Sequence, residues 1–407
     1  MNCRHCGVSL DCVFVDLGFA PISNSYLERR DLQRPETYYP LKLFVCSRCR
    51  LVQTQDCTGS EDHFRYDYAY FSSTSSSWLR HAEEYSSMIT KRLGLGKNSL
   101  VLEVASNDGY LLKNFVSAGI PCLGVEPAGR VADAAEQLCV PVLREFFGAE
   151  LGLRLAEEGR QADLVIGNNV YAHAPDVNDF TAGLKAVLKP GGVITLEFPH
   201  LLNLIRFCQF DTIYHEHFSY FSLDAVKSIF YSHSLRIWDV QELSTHGGSL
   251  RVYGCHLDDP RPESASVRTL LEKEKQYGLH DMQVYKDFSS CAERIKDDLV
   301  MFLIEQKRGG RKVAAYGAAA KGSTLLNYAG IKPDLISFVC DAAPSKQGKF
   351  MPGSHIPVLS GHVLQQFRPD TLLILPWNIR DEIVSQHSYI RQWGGKFAVA
   401  VPVLEFF

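Results

Sequence analysis

Tyr214, His215, Glu216 and His217 stand side by side in D-T-I-Y-H-E-H-F-S-Y-F-S, residues 211 to 222. A phenol, two imidazoles and a carboxyl packed this densely suit proton handling. Imidazole titrates near neutral pH, and an adjacent acid or phenol can orient it. One of the group is therefore expected to act as a base. A metal is the first rival reading. Neighbours in an extended chain point to opposite faces, so only His215 and His217 could share an ion, and no third ligand stands beside them. A histidine that merely satisfies a structural hydrogen bond is the second rival.

Four cysteines carry a different chemistry. Cys3 and Cys6 form C-R-H-C, and Cys46 and Cys49 form C-S-R-C. Two C-x-x-C knuckles around a long insert predict a tetrahedral structural zinc, with no open position for catalysis. His5 lies inside the first knuckle and could stand in for a thiolate, although the four-sulfur set is already complete. A redox role is disfavoured because neither pair sits at a strand-to-helix turn of a βαβ unit. The other cysteines of the twelve are scattered singly.

The third feature spans residues 101 to 127. The apolar run Leu100-Val101-Leu102 is too short for a helix, ends in Glu103, and breaks at Ser106-Asn107-Asp108-Gly109. Tyr110 to Phe115 then starts a helix, and a second strand, Cys122 to Val125, ends in Glu126 and Pro127. The small residues of the turn let a ligand approach the strand end, and Glu126 is placed to accept hydrogen bonds from the hydroxyls of an adenosine ribose. A dinucleotide would call for G-x-G-x-x-G. Here Asp108 would repel a pyrophosphate but tolerate the ammonium of a methionine moiety. The pattern reads as an S-adenosylmethionine site. A further strand, Ala162 to Asn169, ends in Asn168 and Asn169 and is followed by His173, which places these three near the same donor.

The elements that position these groups imply an α/β fold. At 407 residues the chain exceeds a single core and should hold two or three domains. Residues 1–65 are expected to be a small zinc-binding domain short on core, its insert Asp16 to Tyr39 rich in turn residues. Tyr66, Tyr68 and Tyr70 alternate at the strand period, and their shared face suits either a pocket or an interdomain surface. A helix from Trp78 to Leu93 leads into the central Rossmann-like domain, placed at residues 66–245, with a turn at Leu188 to Gly192 and a strand from Val193 to Phe198. Residues 246–407 are expected to form a second Rossmann-like α/β domain that includes a charged helical connector from Val267 to Glu305. There the strand Lys312 to Tyr316 enters a small-residue turn and a helix start containing Lys321, Gly322 and Ser323, and a strand from Leu335 to Cys340 ends in Asp341. Such a turn favours phosphate oxygens, with Arg251 of T-H-G-G-S-L-R available to complete the grip. An NAD site is the rival, but G-x-G-x-x-G is absent.

A formal net charge of −4 and the lack of any block of like charge argue against bulk nucleic-acid binding. No long apolar window and no charged-then-apolar leader pattern is present, so a cytoplasmic protein with no membrane span is expected.

Taken together, C-R-H-C with C-S-R-C, Y-D-Y-A-Y-F-S-S, V-L-E-V-A-S-N-D-G, N-N-V-Y-A-H, I-Y-H-E-H-F-S-Y-F-S, T-H-G-G-S-L-R-V-Y and Y-G-A-A-A-K-G-S-T resemble the sugar C-methyltransferases of branched-deoxysugar synthesis. These stretches run through nearly the whole chain. The resemblance implies an N-terminal four-cysteine zinc domain, a central S-adenosylmethionine domain and a C-terminal Rossmann-like domain. It implies methyl transfer to carbon 3 of a nucleotide-linked 4-keto-deoxysugar, usually on thymidine diphosphate. By the same resemblance His217 is the base, with Tyr214 and Glu216 beside it and His173 and Tyr68 lining the pocket; Tyr214 is the second candidate, because a phenol near cationic groups could also take the proton, and the sequence does not decide between the two. The substrate side is assigned to Tyr68, Tyr70, Lys321, Gly322, Ser323 and Arg251, and a monomer is expected because the three domains supply a whole site between them. An O-methyltransferase of small polyhydroxylated molecules would share the donor site, and a zinc-bearing nucleic-acid-modifying protein is the more distant alternative.

Overall fold

The computed structural model describes residues 1–57 and 71–407; Tyr66, Tyr68 and Tyr70 lie outside the described residues. Among the described residues the strands form three sheets. The central sheet is built from β4 (Val101–Val104), β5 (Cys122–Val125), β6 (Val142–Leu143), β7 (Ala162–Asn168), β8 (Leu188–Pro199), β10 (Leu235–Leu243) and β11 (Ser249–His256), in the order β10-β11-β8-β7-β4-β5-β6. From β6 to β8 the neighbours are parallel, and β11 and β10 close the edge antiparallel. The parallel strands β4 and β5 are buried along their whole length, as strands covered on both faces by helices must be. The order of strands reverses beside β4, so β4, β5 and β7 aim their carboxyl ends at one crevice.

The third sheet consists of β12 (Val313–Tyr316), β13 (Val339–Cys340), β14 (Val358–Leu359), β15 (Thr371–Ile374), β16 (Lys396–Val399) and β17 (Glu405–Phe406), ordered β14-β13-β12-β15-β16-β17. It too has a switch point, between β12 and β15. The first sheet is antiparallel and draws on two distant parts of the chain: β1 (Cys12–Ala20), β2 (Tyr39–Val45) and β3 (Val52–Thr54) pair in series, and β9 (Ser219–Tyr220) adds to β3. The proton-handling loop at 211–217 is thus anchored directly to the cysteine-bearing domain.

The central sheet runs on past residue 245, since β11 pairs with β8 as far as Gly254. Several expectations are corrected. The expected turn at Leu188 to Gly192 is carried within the long strand β8, and the strand expected at Leu335 to Cys340 shrinks to β13. The insert between the knuckles is a two-stranded hairpin, β1 with β2, whose tip reaches the C-terminal domain through Leu27 paired with Phe350. The N-terminal domain also borrows core instead of standing alone. Cys3, Leu10, Cys46 and Leu51 pack in the same apolar cluster as Leu196, Phe198 and Phe221, and Phe14 stacks on Phe288 at 4.4 Å between ring centroids.

The helix Ser76–Leu93 begins two residues before its expected start because Ser75 caps it, its hydroxyl accepting from the Trp78 amide, and Gly94 ends it in the left-handed conformation. The charged connector resolves into the helices Ala265–Tyr277, Met282–Lys286 and Phe288–Arg308.

Candidate active site

At the carboxyl end of β4 the chain turns through Ala105, Asn107 and Gly109, with φ of 55°, 51° and 75°. Alternate left-handed residues coil the backbone tightly here. Asparagine tolerates the conformation and alanine is strained in it, so the sequence, with its single glycine, disguises the turn. The turn lies against β5, where a Cβ on Gly124 would stand 2.3 Å from Ser106 Oγ. Glu126, at the end of β5, accepts from the amides of Asn107 at 3.0 Å and Ala128 at 2.9 Å. Asn107 and Asp108 accept from the amides of Ser72 and Ser73, at 2.9 and 3.1 Å, which brings the segment before the helix Ser76–Leu93 over the turn.

The crevice is lined by buried polar atoms with no protein partner among the described residues: Glu103 Oε2, Ser106 Oγ, Asp108 Oδ1, Asn168 Oδ1 and Asn169 Oδ1. Buried acceptors left unsatisfied in such number mark a ligand site. Burial, and then the neighbouring Asp108 and Glu126, push the Glu103 carboxyl well above its ordinary value, and burial raises Glu126 as well. A cationic ligand would offset that repulsion. The set fits S-adenosylmethionine, which offers an ammonium, a sulfonium and ribose hydroxyls to carboxylates and amides. Pro127 follows Glu126 at the pocket rim and is half-buried.

The loop before β9 presents the Tyr214–His217 pair. The Tyr214 hydroxyl lies 2.8 Å from His217 Nε2, and His217 Nδ1 lies 3.1 Å from the carbonyl of Thr212. That carbonyl can only accept, so Nδ1 carries the proton and Nε2 offers its lone pair to the phenol. Burial, then the neighbouring His173 and the Lys321 charge, hold the His217 pKa well below the ordinary value. The imidazole is therefore neutral and able to take a proton. His173 meets it edge to face, with centroids 4.8 Å apart. Glu216 points away from this pair: Asn24 of the β1–β2 insert donates to its Oε1 at 2.7 Å, and burial raises its pKa to about 7. His215 faces the N-terminal domain, its Nε2 lying 3.2 Å from the carbonyl of Pro40. The two histidines thus face different partners, and neither belongs to a group spaced for a metal ion, which among the described residues is the four-cysteine set alone.

The C-terminal domain supplies the third wall. Lys321 lies at its switch point, donating to Asn378 Oδ1 at 3.2 Å and resting over the Trp377 ring at 4.5 Å. Trp377 Nε1 donates to Asp211 Oδ2 at 2.7 Å, and the Thr324 hydroxyl donates to the carbonyl of Ile213 at 2.6 Å. The helix Ala320–Tyr328 is thereby fastened to the loop that holds His217. Gly322 is required by close packing, since a Cβ there would meet Leu375 at 2.7 Å, and the Ser323 hydroxyl accepts from Asn327 at 3.3 Å. Arg251 is not brought to this wall. It lies buried in β11, pairs with Glu197 at 2.9 Å and stacks over Tyr85. Glu197 also meets His81 and Thr245.

The thiolates of Cys3, Cys6, Cys46 and Cys49 lie within 4.8 Å of one another, with 3.5 Å between Cys3 and Cys49 and between Cys6 and Cys46. That spacing suits one tetrahedral zinc ion, whose sulfur ligands stand about 2.3 Å from the metal. Gln53 donates to Cys3 Sγ at 3.3 Å in the supporting shell. His5 is engaged elsewhere, with Asn178 and Ser228 of the central domain.

Sequence reasoning missed Asp211, Trp377, Asn378 and Asn24. Trp377 and Asn378 follow the apolar run Thr371 to Leu375, a strand end at which a ligand site could have been sought. Asn24 sits in a segment with no periodicity and carried no signal.

Comparison with known proteins agrees with this geometry. The model described as "Putative zinc binding domain" matches residues 3–64, "Methyltransferase domain" matches 78–240, and "C-methyltransferase C-terminal domain" matches 244–402. The C-methyltransferase NovU of Streptomyces niveus is 34% identical over 401 residues, covering 98% of this chain and 95% of that relative. An uncharacterized methyltransferase of Mycobacterium leprae is 32% identical over 99 residues, 24% of this chain and 36% of its own length. Magnesium protoporphyrin IX methyltransferase of Synechocystis, solved with bound S-adenosylmethionine, aligns with 49% of this chain and 99% of its own at 13% identity and a TM-score of 0.36. With a near-full-length relative and matches to all three domains, the chain belongs to the S-adenosylmethionine-dependent C-methyltransferases that carry a zinc-binding N-terminal domain.

Proposed function

We propose that the chain transfers a methyl group to carbon 3 of a nucleotide-linked 4-keto-deoxysugar, with thymidine diphosphate the first nucleotide to test. The observation that carries this reading is the neutral, tautomer-fixed His217 hydrogen-bonded to Tyr214 at 2.8 Å, in a chain that also carries the acid-lined turn after β4. When bound, S-adenosylmethionine supplies an electrophilic methyl, which a carbanion or enolate can attack in line. The protein must supply the proton acceptor. A ketone acidifies the adjacent C–H, and an imidazole kept neutral by its surroundings suits the removal of that proton near neutral pH.

Both His217 nitrogens are engaged within the protein, one by Thr212 and the other by Tyr214. The proton therefore reaches Nε2 by way of the phenol or after Tyr214 swings aside, and the two residues act as one unit. Tyr68, Tyr70 and His173 belong to the reading as pocket residues, Lys321, Gly322 and Ser323 as its substrate-side wall, and Glu216, turned toward Asn24, as a residue that supports the loop. The curated relative NovU is itself described as a C-methyltransferase, which supports carbon over oxygen as the acceptor.

The test is product analysis. The protein is incubated with carbon-13 methyl-labelled S-adenosylmethionine and a panel of thymidine-diphosphate 4-keto-6-deoxysugars, and the product is assigned by NMR. A labelled methyl bonded to carbon 3 is expected. A methyl found only on oxygen would overturn the reading in favour of an O-methyltransferase.

A further inference from the structure

We propose that Lys321 is a catalytic residue whose ammonium takes up the negative charge that develops on the keto oxygen as the carbon 3 proton leaves. This rests on the keto-sugar reading above and deepens it. The reaction leaves an unanswered need: when His217 accepts the proton, the C–H electron pair becomes the new C3–C4 double bond and the carbonyl pair moves onto oxygen. That oxygen needs a positive or hydrogen-bonding neighbour, preferably one already in place.

The C-terminal domain ties such a group to the loop that carries the base. Lys321 stacks on Trp377, and Trp377 is wedged between two parts of the central domain. On one side its indole N–H donates to Asp211, the residue before Thr212, whose carbonyl orients His217. On the other side it lies so close to Gly247 that a Cβ there would stand 2.3 Å from the ring. Gly247 neighbours His246, whose Nε2 lies 3.3 Å from Asn169 Nδ2 at the donor crevice. Trp377 and the Thr324–Ile213 bond thus fasten the helix that carries Lys321 to the base loop.

The charges agree with this placement. Lys321 is among the groups that resist protonation of both His217 and His246, so both feel its charge. Burial pulls its own pKa below the ordinary value, and Asp211 pushes back. Asp211 is fully buried; burial raises its carboxyl to about 6, and the Lys321 charge is the first influence that pulls it back, so the two groups act on each other within the loop that orients His217. In the closing step the enolate carbon takes the methyl, the sulfur keeps the bonding pair, and the oxygen returns to a carbonyl.

The experiment compares the wild-type protein with Lys321→Met, and with Lys321→Gln as a second variant should the first fold poorly, judged by thermal midpoint and S-adenosylmethionine binding. Three quantities are read: exchange of the carbon 3 proton in heavy water without methyl donor, kcat and KM for methyl transfer, and Kd for thymidine diphosphate alone. Both exchange and kcat are expected to fall by about 100-fold or more, with the diphosphate Kd within about twofold of wild type. Weakened diphosphate binding with kcat restored at saturating substrate would overturn the proposal and make Lys321 a phosphate ligand. Exchange at the wild-type rate would also overturn it. If the wild-type protein itself exchanged and methylated none of the keto sugars, the substrate reading would fail, and the inference with it.

Discussion

His217 and Glu216 are neighbours with opposite electrostatic fates. His217 is held neutral by burial and nearby positive charge, so its acid-side titration lies well below the ordinary 6.5. The acid limb of kcat/KM for methyl transfer is therefore expected below pH 6.5, and a limb centred at or above that value would contradict the assignment. His217→Asn and Tyr214→Phe are each expected to cost roughly 10²–10⁴-fold in turnover while S-adenosylmethionine binding stays near wild type. Glu216 behaves differently. Burial raises its pKa from 4.5 to about 7, so the folded chain keeps a proton there that the unfolded chain has released. Its contribution is fully present below pH 4.5 and is lost as the pH rises through about 7. Glu216→Gln keeps a hydrogen-bond acceptor for Asn24. It should flatten the stability profile between these limits by roughly 3 kcal/mol, read by denaturant unfolding across pH. An unchanged profile would mean that Glu216 is ionised in the fold.

At the scale of elements, function depends on how short segments are tied together. Thr324 in the helix Ala320–Tyr328 holds the carbonyl of Ile213, and Gly247 receives the face of Trp377 at a φ of 86°. Thr324→Val leaves a buried carbonyl without its donor and should cost about 1–2 kcal/mol in thermal or denaturant unfolding. Its catalytic loss is expected to exceed any loss of S-adenosylmethionine binding. Gly247→Ala combines a steric clash with a strained φ and should destabilise by about 1–3 kcal/mol or more. These ties were largely illegible in the sequence. Periodicity located β4, β5, β7 and the helix Ser76–Leu93, because burial on a strand or one helix face leaves a local pattern. No local pattern announces that Trp377 will meet Asp211 across more than a hundred residues, or that Asn24 will reach Glu216. The donor turn was legible in its acids but not in its backbone, because Ala105 and Asn107 adopt a conformation usually signalled by glycine.

For the molecule as a whole, the N-terminal and C-terminal domains are both tied to the loop that holds His217, the first through the pairing of β3 with β9 and the second through the bonds from Thr324 to Ile213 and from Trp377 to Asp211. No helix among the described residues is long and apolar enough to cross a membrane. Because β9 follows the base loop immediately, loss of zinc should reach the active site as well as the N-terminal core. Cys46→Ser is expected to lower zinc content by elemental analysis, lower the thermal midpoint and reduce methyl transfer together. Unchanged zinc stoichiometry would rule out the four-thiolate site. The cysteine spacing made that site legible from sequence, whereas its link to the loop that holds His217 became visible only in the pairing of Val52 with Tyr220. The most direct test of the central claim is proton exchange at carbon 3 of a thymidine-diphosphate 4-keto-6-deoxysugar, followed by NMR in heavy water without methyl donor. The wild-type protein should exchange that proton, and His217→Asn should not, although it still binds S-adenosylmethionine. Exchange by the variant at the wild-type rate would contradict the account.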